Sequence, residues 1–110
     1  MVPIHKLGCQ ELTFLVLVKS RSIPKPVGIA AQAEQVMENL KQVLLAAKMS
    51  FNDVLKTTVF ITNMDNFAAV NEVYGRYFTD KLPARSCVAV VSLPKSVLVE
   101  IELIACSHNI

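Results

Sequence analysis

Tryptophan is absent, and the two histidines, His5 and His108, stand near opposite ends of the chain. With so few imidazoles, so far apart in sequence, neither a histidine-based metal centre nor a nucleophile–histidine triad is expected. There are three cysteines, Cys9, Cys87 and Cys106, an odd number with no C-x-x-C spacing. That argues against a disulfide framework and against a zinc site, and it points to a reducing compartment, the cytoplasm or alternatively the mitochondrion. Long apolar runs are missing too. The longest, Leu12 to Val18, is far too short to cross a bilayer and carries no small-residue cleavage signal, so no membrane partner is expected. Nor is there a strong excess of charge of one sign. The net charge of +2 is too small to argue for nucleic acid. It is spread unevenly: residues 1–28 hold four basic side chains against Glu11 alone, and the remainder holds seven basic and eight acidic ones. The basic start reads as a solubilising segment.

What is present is a core-forming balance. In 110 residues, 53% are hydrophobic and 18% charged, enough for one domain. Leu12–Val18 is rich in β-branched and aromatic residues and reads as a strand. Pro24, Pro26 and Gly28 make a loop of residues 20–28. From Ile29 to Met49 the period changes: Val36, Leu40, Val43, Leu44 and Ala47 recur at helical spacing, with Gln32, Glu34, Gln35, Glu38, Gln42 and Lys48 between them. Val54–Thr62 is dense in β-branched residues and reads as a central strand. Asp65 is placed to cap a second helix over 66–79, whose apolar face is Phe67, Val70, Tyr74, Tyr77 and Phe78. Ala84–Val91 and Val97–Cys106 complete the chain as strands joined by a short Pro-containing turn, an antiparallel hairpin by expectation. The order β, α, β, α, β, β predicts an α+β fold, a mixed sheet with two helices on one face. The opposite face is left bare and largely apolar, so it is expected to pack against other copies of the chain.

Both final strands carry charge inside apolar sequence. A buried unpaired charge costs several kcal/mol, so Arg85, Glu100 and Glu102 are either solvated at an edge or gathered at a site. Arginine suits a carboxylate ligand because its planar fork donates two parallel hydrogen bonds. Glu100 and Glu102 share one strand face, and Cys87 shares the other strand's face with Arg85. Cys87 has no histidine to activate it and reads as a packed thiol rather than a nucleophile. Lys56 reads as an exposed or interfacial charge.

Several blocks resemble the Rid family (YjgF-like reactive intermediate deaminases, also called endoribonuclease L-PSP). They are Ala31-Gln32-Ala33-Glu34-Gln35-Val36, Val54-Leu55-Lys56-Thr57-Thr58-Val59-Phe60, Met64 through Tyr74, Pro83-Ala84-Arg85-Ser86 and Val99-Glu100-Ile101-Glu102. The resemblance covers roughly residues 29–106. It implies one domain over 1–110 with a chorismate-mutase-like fold, assembling as a homotrimer whose sheets form an inner barrel with clefts between subunits. It implies hydrolysis of 2-enamine or 2-imino acids to 2-oxo acids and ammonia, without metal or cofactor. Carried over by position, Arg85 binds the substrate carboxylate, Glu100 positions the attacking water, and Cys87 lines the site through its backbone. Ser20 is a site residue by position alone. Residues 1–28 depart from the pattern. The Gly-Pro-Tyr-Ser-Gln block is absent, Ser-Gly-Gln is replaced by Ser20-Arg21-Ser22, and the loop before the first helix is short. Those departures favour a second reading, a non-catalytic trimer that binds small carboxylates or proteins. A third, cleavage of single-stranded RNA or inhibition of translation, ranks last because no dense basic–aromatic surface is present.

Overall fold

The computed structural model describes residues 10–17, as backbone, and 28–107. Its elements are β1 (Gln10–Leu17), α1 (Ile29–Ala46), β2 (Val54–Ile61), α2 (Phe67–Tyr77), β3 (Ala84–Ala89) and β4 (Val99–Ser107). Each predicted element is present, with ends shifted by no more than three residues. The loop read at residues 20–28 lies almost wholly outside the described residues.

The shifts have local causes. Helix α1 stops at Ala46 because Lys48 turns left-handed (φ 60°) and the Met49 amide folds back onto the Leu44 carbonyl at 2.8 Å. A reciprocal pair, Ser50 Oγ with the Asn52 amide and the Asp53 carboxylate with the Ser50 amide, then forms the short turn that launches β2. Before α2, Asn63 rather than Asp65 supplies the capping oxygen. Its side chain accepts from the Asp65 amide at 2.9 Å across a single turn of tighter helix over Met64–Asn66.

The sheet order is β1-β4-β2-β3. Strand β4 lies antiparallel to β1 on one side and to β2 on the other, and β3 runs parallel to β2 at the edge. The expected terminal hairpin therefore does not form, because β2 separates β3 from β4. The reason is burial. Val99, Ile101, Leu103 and Ala105 of β4 are at most 1% exposed and need neighbours on both sides. Strand β3 is exposed along nearly its whole length and suits an edge. The connection crosses the end of β2, tied by Val90 N–H to the Ile61 carbonyl and Thr62 N–H to the Leu98 carbonyl.

Both helices cover one face. Val36, Met37, Leu40 and Leu44 of α1 and Val70, Val73 and Tyr74 of α2 pack with Val59, Ile61 and the inner residues of β4 into one core. Each aliphatic side chain buried this fully contributes about 1.5–3 kcal/mol. Gln32 sits in that core at 2% exposure, its Oε1 accepting the Leu98 amide at 2.8 Å. Cys106 is buried and held in a disulfide, which corrects the reading, drawn from an odd cysteine count without C-x-x-C spacing, that argued against a disulfide framework. Antiparallel pairing of β1 with β4, which the cysteine count does not disclose, brings the N-terminal strand alongside it. Cys9 lies outside the described residues.

The uncovered face is less apolar than expected. On it Phe60, Leu98 and Ile104 alternate with Thr58, Glu100 and Glu102, all partly exposed. Lys56, exposed as expected, joins Thr58, Glu102, Leu103 and Ile104 around a shallow pocket there. Among the described residues, no helix is long and apolar enough to cross a membrane.

Candidate active site

Parallel pairing places Arg85 of β3 directly opposite Thr57 of β2. Thr57 is buried beneath the helices, so Arg85 projects onto the same, helix-covered face, but at the exposed edge. Helix α2 meets it with one stripe. Phe67, Asn71 and Tyr74 stand at i, i+4 and i+7, the spacing that aligns side chains along a helix. The guanidinium carbon lies 4.8 Å from the Tyr74 ring centroid and 5.3 Å from that of Phe67. Arg85 Nη1 donates to Asn71 Oδ1. Tyr74 is fixed in turn by a 2.8 Å hydrogen bond between its hydroxyl and Thr57 Oγ1. Burial raises the Tyr74 pKa above 10.0, with the Thr57 hydrogen bond and the Arg85 charge opposing the shift, so the ring faces the guanidinium as a neutral phenol.

Among the described residues Arg85 has no carboxylate partner; the ion pair there is Arg76 with Glu72, one turn apart on α2. The guanidinium is thus stacked and oriented yet electrically uncompensated, as a site for an anion needs. Cys87 follows on the same face, opposite Val59, as a half-buried free thiol. Burial pushes its pKa up and the Arg85 charge only partly opposes this, so the thiol stays protonated and is a poor nucleophile.

Glu100 is elsewhere. It pairs with Phe60 of β2 and Leu17 of β1, on the bare face. Within one protomer the sheet separates Glu100 from Arg85. Burial, and then the neighbouring Glu102 charge, push the Glu100 carboxyl above its ordinary 4.5. Ser20 lies outside the described residues. Among the described residues, no three His, Cys, Asp or Glu side chains gather as a metal site.

Asn71, Thr57 and the second use of Tyr74 escape a reading of apolar periodicity. Tyr74 is in the core as expected, at 5% exposure, but one ring face also serves the arginine. The signal available was a polar Asn71 within the stripe that carries Phe67 and Tyr74.

A mixed sheet backed by two helices, with a stacked arginine on a Pro-Ala-Arg-Ser-Cys edge strand, defines a class to which known proteins can be compared. The family model described as endoribonuclease L-PSP matches residues 18–107. The chain belongs to this family, the YjgF/RutC/Rid family. It is 54% identical over 79 residues to protein DfrA of Myxococcus xanthus, covering 72% of this chain and 60% of that one. It is 47% identical over 83 residues to the 2-iminobutanoate/2-iminopropanoate deaminase of Escherichia coli K12, covering 73% and 65%. Its fold matches E. coli TdcF, crystallised with bound serine, at a TM-score of 0.81 and 38% identity over 88% of this chain and 80% of that one. The matched part spans roughly three fifths of the length of these curated relatives.

Proposed function

We propose that the chain hydrolyses 2-imino acids to 2-oxo acids and ammonia, in clefts formed where three copies meet, without a metal or cofactor. The observation that carries this reading is Arg85, exposed at the sheet edge and, among the described residues, without a carboxylate partner. The deaminase name of a 47% identical relative, and serine bound in a similar fold, support a small amino-acid-like ligand.

In the proposed reaction Arg85 anchors the substrate carboxylate through two parallel hydrogen bonds. A water attacks the electrophilic imine carbon, and Glu100 of an adjacent copy accepts its proton. The carbon–oxygen bond forms as the C=N π pair moves to nitrogen. The proton passes from Glu100 to that nitrogen; the carboxylate then takes the hydroxyl proton and delivers it to the same nitrogen as the C–N bond breaks, C=O forms and ammonia leaves. A carboxyl raised above its usual range is better suited to both proton transfers near neutrality. Glu100 lies across the sheet from Arg85, so the reading requires a second copy to complete the site. The same separation favours a binding-only role for any isolated protomer.

The test is competitive trapping. A pyridoxal-phosphate dehydratase generates 2-iminobutanoate, and semicarbazide captures what escapes hydrolysis. The chain is expected to lower the yield of adduct. Arg85→Ala and Glu100→Gln are each expected to reduce that effect by about 10²-fold. No effect from the unaltered chain, or full activity in Arg85→Ala, overturns the reading. Cleavage of single-stranded RNA in their place would put a nuclease role forward.

A further inference from the structure

We infer that Asn71 and Tyr74 are positioning residues for Arg85, presetting the plane and free edge of its guanidinium for a carboxylate. The inference rests on the proposed anchoring role of Arg85 and adds how that role is made specific. An exposed arginine side chain explores many rotamers, and freezing them on binding costs affinity. Here the contacts with Tyr74 and Asn71, beside the more distant Phe67 ring, remove that freedom beforehand. The Tyr74 ring lies beneath the guanidinium carbon at 4.8 Å, which sets the plane. Asn71 Oδ1 takes Nη1, which sets rotation within the plane and leaves the remaining N–H groups for a ligand.

The support is itself rigid. Tyr74 is 5% exposed and tethered by Thr57, whose backbone is the ladder partner of Arg85. Strand, helix and guanidinium therefore form a closed circuit through Thr57, Tyr74 and Arg85. The chemistry of Asn71 matters as well. A neutral amide oxygen orients the cation without cancelling its charge, whereas an aspartate there would orient it equally well and compete with the incoming carboxylate. The geometry thus distinguishes a residue that merely fills space from one that presets an anion site.

Two readouts test this on the intact 110-residue chain. The first is guanidinium NMR, which needs no activity. The chain has three arginines, Arg21, Arg76 and Arg85. One is expected to show slowed Nη exchange and an upfield ring-current shift, and to be assigned by its loss in Arg85→Lys. Asn71→Ala is expected to restore fast exchange, and Tyr74→Phe to keep the ring-current shift. The second is the split between KM and kcat in the trapping assay, or the Kd for 2-oxobutanoate by calorimetry. Asn71→Ala is expected to raise KM or Kd about tenfold with kcat changed less than about threefold, and Asn71→Asp to raise it further. Tyr74→Leu, which removes the ring beneath the guanidinium, is expected to raise KM or Kd several-fold and to reduce the ring-current shift. Unchanged arginine signals and KM in Asn71→Ala overturn the inference. So does a loss in kcat alone, which would place Asn71 at the reacting atoms. If the unaltered chain leaves imines unhydrolysed while the NMR signature is present, the deaminase reading fails and the positioning of Arg85 stands.

Discussion

Tyr77 shows how one side chain joins the two helices and makes stability depend on pH. Its hydroxyl donates to Glu38 of α1 at 2.6 Å, and its ring meets Phe51 edge-on at 5.5 Å. Burial, then the hydrogen bond and charge of Glu38, push its pKa from 10.0 up to about 12. A pKa raised on folding means the folded state holds its proton more tightly. The contribution is complete below pH 10 and is lost as pH rises through about 12. Tyr77→Phe keeps the ring contact and removes the hydroxyl. It is expected to cost about 1 kcal/mol at neutral pH, and to flatten the alkaline loss of stability. Urea unfolding at neutral and alkaline pH checks both. A variant that loses stability with pH as steeply as the parent would show that another group is responsible. At this scale the sequence was legible in type more than in partner. Tyr77 lies on the expected apolar stripe, but nothing local pairs it with a glutamate 39 residues away.

At the scale of elements, Gln32 ties α1 to the start of β4. It falls among the polar positions between the apolar residues of its helix, yet it is 2% exposed because the connection into β4 needs an acceptor for the Leu98 amide. Gln32→Ala strips that acceptor from a partly buried N–H. A Tm drop on the order of 10 °C is expected, while Gln42→Ala on the exposed side of the same helix should leave Tm unchanged. Thermal unfolding followed by circular dichroism decides, and equal Tm values for the two variants would rule out the clasp. Elements were legible because period 3.6 and β-branched runs are local signals. Their pairing was not. Short connection length suggested a hairpin between β3 and β4, but burial of Val99, Ile101, Leu103 and Ala105 placed β4 in the middle of the sheet.

For the molecule as a whole, a second copy would both cover the bare sheet face and bring a Glu100 to Arg85, which the sheet separates within one protomer. Phe60 and Ile104 on that face, with Val88 41% exposed on the edge strand, leave apolar surface to cover. Sedimentation equilibrium is expected to give three times the 12.1 kDa chain mass. Ile104→Asp, a charge placed among these residues, is expected to give folded monomers and to abolish imine hydrolysis with the trimer. Activity persisting in a monomer would sink the shared site. The sequence by itself determined the number and kind of elements, the core stripes of both helices and the residues worth testing, because side-chain periodicity and composition act over a few residues. Only the tertiary structure decided that β4 is central, that Arg85 rests on Tyr74 and Asn71, and that Glu100 points the other way. Sheet order and the face each side chain takes are set by burial and hydrogen-bond pairing between segments far apart in the chain, which no local pattern encodes.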